Sequence, residues 1–392
     1  MKTKNTAIFA NDITTIKRTA QYALATLAFA ALAACGGGGG GGNTSAASNA
    51  QASANVQIVS FGDELSDVGT YAPVITASFG GGRFTTNPGE VWTQKVAEYF
   101  GGSLSAAYLG GFGQPLAAST GLGYAQGGAR VQDPAGEGHA ASSVPNADYA
   151  QATTVPVTQQ VQNYLSAHGA FSSSQVVLVN GGTNDILLLE PSIESLVASD
   201  VAGGMDLTSA VQKEATAALV PVAQKFAATV QQIATAGAGH VVVVNVPDLG
   251  QTPLGAKVGS SGQQLLTALA TVYNQAVSQT IQSFGLPAGK VVPVDLFGWQ
   301  NGVIAAYQAN GFSVANTGTG CNISLMVQNA TNSGVSNPQA FGSSLFCAPA
   351  LYTVAGADQS YMFADLTNPS THLHALFAQY VEQQLASAGV SK

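Results

Sequence analysis

The feature that most constrains the fold is an alternation of short β-branched runs with long helical patterns. Residues 56–61, 175–180, 240–246 and 290–295 are short apolar runs of the kind needed by a sheet covered on both faces. Between them, residues 209–236 carry apolar side chains at 211, 215, 219, 222, 226, 230 and 233. Residues 263–284 do the same at 266, 269, 273, 277, 281 and 284. Both patterns follow the period of a helix with one buried face, and Pro221 is expected to kink the first. Strands separated by helices predict a doubly wound α/β domain with a parallel central sheet, its active site at the carboxyl ends of the strands. The Gly- and Asn-rich stretches 101–155 and 300–360 lack clear periodicity and are expected as long loops over that rim. No internal repeat and no second domain is visible. With 46% apolar residues in 392 there is ample material for a core, and only 8% charged residues rules out a charge-driven disordered chain.

The N-terminus does not belong to that pattern. Lys2, Lys4, Lys17 and Arg18 precede an apolar run over residues 22–34 that is short for a membrane span and ends in small residues, as a secretory signal does. Leu32-Ala33-Ala34-Cys35 resembles the bacterial lipoprotein box, in which the cysteine is diacylated and becomes the first residue; the blander alternative is an ordinary signal peptide that contains a cysteine. Gly36, not an aspartate, follows, which favours the outer membrane or cell surface of a Gram-negative bacterium. The expected organisation is a signal peptide at 1–34, a lipidated Cys35 with a tether to residue 55, and one folded domain at 56–392. The tether opens with seven consecutive glycines and continues in Ser, Ala, Asn and Gln, so it supplies reach and no packing. Removing residues 1–34 takes four basic and one acidic residue from totals of 12 and 20, leaving a net charge of −11. Such a surface is repelled by anionic headgroups and by nucleic acid, so the lipid is the expected link to the membrane. A monomer is expected.

Cys321 and Cys347 are the other two cysteines, and in an exported chain they most simply form one disulfide across a loop rich in Asn, Ser and Gly. A metal pair would lack further ligands nearby. No cofactor signature appears, neither a phosphate-cradling glycine loop with its lysine nor clustered metal ligands.

Three segments fall where an α/β active site belongs. All three are expected just after strands, and the first two are Phe61-Gly62-Asp63-Glu64-Leu65-Ser66-Asp67-Val68-Gly69 and Val179-Asn180-Gly181-Gly182-Thr183-Asn184-Asp185. The third is Phe363-Ala364-Asp365-Leu366-Thr367-Asn368-Pro369-Ser370, near the C-terminus. Gly123-Tyr124-Ala125-Gln126-Gly127-Gly128-Ala129-Arg130 lies between the first two. With residues 81–89 (Gly-Gly-Arg-Phe-Thr-Thr-Asn-Pro-Gly) and Asn245-Val246-Pro247-Asp248-Leu249-Gly250, they occur in the order found in the GDSL/SGNH ester hydrolases, which this chain resembles over most of residues 56–386. The resemblance implies a three-layer α/β/α, flavodoxin-like fold and an ester hydrolase of the esterase or lipase kind. It also implies an oxyanion hole made by the backbone at 64, Gly128 or its neighbour Gly127, and Asn184. The acyl nucleophile of that family is a serine at the position of Glu64. Its base is a histidine at the position of Asn368, three residues after the orienting carboxylate, Asp365.

Both departures fall on the proton-transfer pair. Ser–His catalysis needs a hydroxyl beside a base that later protonates the leaving group. Asn368 accepts no proton at neutral pH, and Glu64 forms no acyl-serine. Loss of either partner costs on the order of a million-fold in turnover, and loss of both little more, while the oxyanion hole with binding still gives roughly a thousand-fold over water. Three readings of Glu64 stand. Its carboxylate acts as general base for a water, with Asn184 and Gly128 holding the oxyanion. Alternatively the carboxylate attacks the ester itself, which ranks lower because no acid is at hand for the alkoxide. Finally, the site is inactive and the cleft binds an acyl or glycan ligand. The partner is then a small-molecule or lipid ester, or such a ligand.

Other residues carry weaker signals. Ser66 is a displaced nucleophile or, preferably, a helix cap or packing hydroxyl. On the expected C-terminal helix 368, 372 and 375 share a face, so His372 could approach the site from one turn further along; a surface histidine is the simpler reading. His372 and His374, two apart, face different ways on a helix and do not make a metal pair. His139, His168 and His240 have no evident partner. Asp63 and Asp67 are expected to tie the loop at Glu64 to backbone N–H groups, Asp185 to hold Asn184, and Trp92 to anchor a helix.

Overall fold

The structure, a computed structural model, describes residues 56–112, 114–136, 154–335 and 337–392. The expected signal peptide, Cys35 and tether, and also His139, lie outside the described residues. The domain opens with β1 (Gln57–Phe61), α1 (Ala72–Phe79), α2 (Trp92–Tyr99), β2 (Tyr108–Gly111) and β3 (Gln114–Ala118). It continues through α3 (Val157–His168), β4 (Gln175–Val179), α4 (Thr183–Ala202), α5 (Leu207–Thr235), β5 (His240–Val244) and α6 (Pro253–Ser283). The last elements are β6 (Val291–Val294), α7 (Leu296–Ala305), α8 (Ile323–Asn332), α9 (Ala357–Ser360) and α10 (Thr371–Ser387).

Strands β1, β4, β5 and β6 form one parallel sheet in that spatial order, with Phe61 opposite Val179, Val179 opposite Val243 and Val244 opposite Val294. Residues 122–124 extend it beyond β1, because the Ser60 amide donates to the Leu122 carbonyl and the Tyr124 amide to the Ser60 carbonyl (3.0 and 2.8 Å). Strand side chains alternate between faces, and the two faces have separate cores. Val59, Phe61, Val177, Val179, Val241 and Val243 pack with Val161, Ile186, Leu219, Phe226 and Leu269 of α3–α6. Ile58, Val176, Leu178, Val242, Val244 and Val294 pack with Trp92 and Val96 of α2, Leu296 of α7 and Phe377, Val381 and Leu385 of α10. The result is three layers, α/β/α, as the sequence pattern predicts.

Three sequence expectations change. α5 runs through Pro221 as one helix. Proline deprives only the carbonyl four residues back of its donor, and Ala217 is exposed, so that carbonyl is open to solvent. The break in the long helices falls in α6, where Gly259 adopts φ 79° and ψ 176°. The stretches 101–155 and 300–360 are more than loops. The first holds the antiparallel hairpin β2–β3, with an irregular register between Leu109 and Gly111, and the second holds α8, most of α7, α9 and several single 3₁₀ turns. These pieces are too short to show a period, and their partners are distant in sequence. One is the disulfide Cys321–Cys347, whose Cα atoms are 5.9 Å apart and whose sulfurs are buried under Tyr71, Met326 and Phe346.

Candidate active site

The carboxyl ends of β1 and β4 carry the first two motif blocks. Gly62 leaves β1 at φ 151°, and a Cβ there would lie 2.0 Å from Asn180 Oδ1, so only glycine lets the two strand ends approach this closely. Gln160 straps the turn, accepting from the Gly62 amide (2.9 Å) and donating to its carbonyl (2.8 Å). Asp63 then caps a single 3₁₀ turn, Glu64–Ser66, accepting from the Leu65 amide (3.1 Å) and from Asn180 Nδ2 (2.5 Å). Asp67 accepts from the amides of Gly69 and Thr70 with one oxygen and from the Gly127 amide with the other. Asp63 and Asp67 are thus the scaffold the sequence suggested.

That scaffold aims Glu64 inward, leaving the residue 6% exposed. Its Oε2 accepts from the Gly128 amide (3.0 Å) and from Asn184 Nδ2 (2.8 Å). Gly128, at φ 80°, turns its N–H toward that point, while Gly127 donates to Asp67, which decides between the two glycines. Asn184, second residue of α4, uses its other amide proton on the Ala129 carbonyl (3.0 Å). Asp185 does not hold Asn184. It accepts from Arg130 Nε (3.0 Å) and the Val131 amide (2.8 Å), pinning the segment after Gly128 to the start of α4. The donors expected for a substrate oxyanion therefore hold the chain's own carboxylate. A glutamate is two bonds longer than the serine that the resemblance leads one to expect at this position, which is the reach needed.

Burial pushes the Glu64 carboxyl above its ordinary value, against the pull of the Asn184 and Gly128 bonds, and the Asp365 charge adds a smaller push in the same direction. Asp63 is driven well up, first by burial and then by Glu64. Asp67 is raised by burial in spite of its backbone donors.

The third block is close enough for Asp365 to act on Glu64 electrostatically. Asp365 carries four donors: the amides of Ser344 (2.7 Å), Thr367 (3.0 Å) and Asn368 (2.8 Å), and Asn368 Nδ2 (3.0 Å). Asn368 thus gives Asp365 the bond that an imidazole N–H would give and keeps the loop shape, but brings no base. Ser344, on a loop distant in sequence, carried no sequence signal because it acts through its backbone. The residues 81–89 brace this loop: Asn87 Nδ2 donates to the Ser344 carbonyl, and Thr85 Oγ1 to the Pro369 carbonyl.

Among the described residues, the weaker candidates from the sequence are engaged in other bonds. Ser66 is buried, donating to Asn180 Oδ1 (2.6 Å) and accepting from Trp92 Nε1 (3.2 Å), a packing hydroxyl. Asn368 precedes α10, which starts at Thr371 with Ser370 as its cap, so 368 and 372 share no helix face. His372 bonds the Gln359 carbonyl (2.8 Å) and lies on the Phe312 ring. His168 contacts the Tyr124 hydroxyl and His240 the Gly289 carbonyl. His374 is fully buried, its Nδ1 accepting from the amide of Trp92 (3.3 Å). Burial brings its pKa down to about 3, the Phe84 backbone opposing in part. Trp92 is the helix anchor expected, packed on Phe377.

A donor pair at the carboxyl edge of a parallel sheet covered by helices on both faces, with an Asp-anchored loop beside it, is the architecture of the α/β/α ester-hydrolase class. Residues 58–381 match the family model described as GDSL-like Lipase/Acylhydrolase, and the chain belongs to that family. No curated protein matches it.

Proposed function

We propose that this chain is an exported, lipid-anchored member of the family that binds a carboxylic ester, such as an acyl lipid, a small acyl ester or an acylated glycan, without acyl-serine turnover. The anchoring part rests on Leu32-Ala33-Ala34-Cys35 and the glycine tether. The observation that carries the rest is Glu64 Oε2 seated between the Gly128 amide and Asn184 Nδ2. A substrate carbonyl oxygen and this carboxylate cannot share one pair of donors. Donors already satisfied give no extra stabilisation to a transition state. Asn368 adds an amide, not an imidazole, at the position expected to move the proton.

A second reading, ester hydrolysis with Glu64 as general base for water, draws on the upward push that burial gives its carboxyl. It requires the carboxylate to leave the donors so that the ester oxygen takes its place. Hydrolysis of short-chain aryl esters by the wild-type chain and by Glu64→Ala separates the two. The binding reading expects equal, background rates. A wild-type rate that collapses in Glu64→Ala would establish Glu64 as a working base and overturn it.

A further inference from the structure

We propose that Glu64 is itself an acceptor for alkyl groups, its carboxylate displacing a leaving group from a saturated carbon to give a glutamyl ester. An oxyanion hole serves the oxygen of whichever carbon is being attacked, and its donors stand about 2.7–3.1 Å from that oxygen. Here Gly128 N and Asn184 Nδ2 stand 3.0 and 2.8 Å from Oε2 of Glu64. The acyl carbon for which this hole is set is therefore Glu64 Cδ, in the protein's own side chain. The same donors fix Oε2, and Oε1 is the oxygen to form the new bond; among the described residues, the one further hydrogen bond to this carboxylate comes from Glu64's own backbone N–H.

The surroundings select the electrophile. Attack on a carboxylic ester would expel an alkoxide, which needs an acid, and Asn368 supplies none. The Asp365 oxygens already accept four hydrogen bonds. A leaving group that departs as a stable anion needs no proton, so the fitting class is an alkyl halide or alkyl sulfonate. In the step, a lone pair of Oε1 forms the C–O bond, the carbon–halogen bond breaks, and halide leaves with its electron pair. Carboxylate nucleophiles of this kind are established chemistry, and removal from water strengthens them. Next to the hole, the half-buried Phe84 ring lies against Gly127, backed edge-on by the buried Tyr71, and is the apolar surface for the alkyl part. Hydrolysis of the resulting ester would use the hole again, with the anion on Oε2, but it needs a base to activate water. Asn368 stands at that position, so the ester persists and the chain reacts once.

This goes beyond the binding reading and stands whether or not the cleft also holds a carboxylic ester. The test is incubation of the full chain with 1-bromohexane, followed by intact mass and peptide mapping, with folding checked by thermal melting. The expected result is one hexyl ester per chain on Glu64 and its loss in Glu64→Gln. In Asn368→His the ester is expected to turn over, releasing hexanol and bromide beyond one equivalent per chain. A folded wild-type chain whose Glu64 peptide stays unmodified overturns the proposal, and this comparison stands even if Asn368→His does not fold. Aryl-ester turnover, measured in parallel, reads the binding proposal separately.

Discussion

Replacing His374 by glutamine is expected to remove a defined part of the protein's acid sensitivity. The ring is fully buried, and burial lowers its pKa from 6.5 to about 3. Below the unfolded value the unfolded chain binds a proton that the folded chain refuses. The stability contributed by neutral His374 is therefore complete above about pH 6.5 and is lost as pH falls toward 3. From the two pKa values the loss between pH 7 and pH 5 is about 2 kcal/mol, approaching about 5 kcal/mol near pH 3. Asp63, Glu64 and Asp67 act in the opposite sense, since burial raises their folded pKa values. The folded chain takes up those protons first, so their contribution grows as pH falls from the folded values toward the unfolded ones. Urea unfolding of wild type and His374→Gln at both pH values cancels the carboxylates, which the two chains share. The difference between the chains should shift by about 2 kcal/mol in favour of the variant at the lower pH. Parallel stability curves would refute the reasoning and place His374 in contact with water or an anion.

Two further substitutions probe the frame of the site. Ser66→Ala leaves Asn180 Oδ1 and Trp92 Nε1 without their buried partner and should cost roughly 2–3 kcal/mol in urea unfolding; an unchanged midpoint would mean that Ser66 does not bridge them. Reducing Cys321–Cys347, separated by 26 residues, should cost about 3.5 kcal/mol by loop entropy. Since Cys321 bonds the Ala364 carbonyl and Cys347 follows the Ser344 turn, amide exchange should quicken at Ser344 and Asn368 on reduction. Unchanged exchange there would separate the disulfide from the Asp365 loop.

The sheet was legible because each strand is a short, nearly unbroken β-branched run, and the two long helices because their apolar stripes repeat over many turns. The first turns of α6 were hidden by Gly255, Gly259 and Gly262, poor helix formers that tertiary packing overrides. The hairpin β2–β3 was masked by glycine, whose lack of a side chain removes the alternation that marks a strand. In the site, Glu64, Gly128, Asn184, Asp365 and Asn368 could be named from local motifs. Where the Glu64 carboxylate ends could not, since it depends on side-chain length set against donors 64 and 120 residues away. The role of Asp185 was misread for a similar reason: adjacency in sequence suggested Asn184, whereas a helix's first turn points neighbouring side chains in different directions.

The central claim is that the oxyanion donors are intact and occupied by Glu64. The most direct measurement is short-chain aryl-ester turnover by Glu64→Ser combined with Asn368→His, set against the wild-type chain. Intact, freed donors predict a background rate for wild type and a gain of at least ~100-fold for the double variant. A wild-type rate that equals or exceeds that of a folded double variant would contradict the claim.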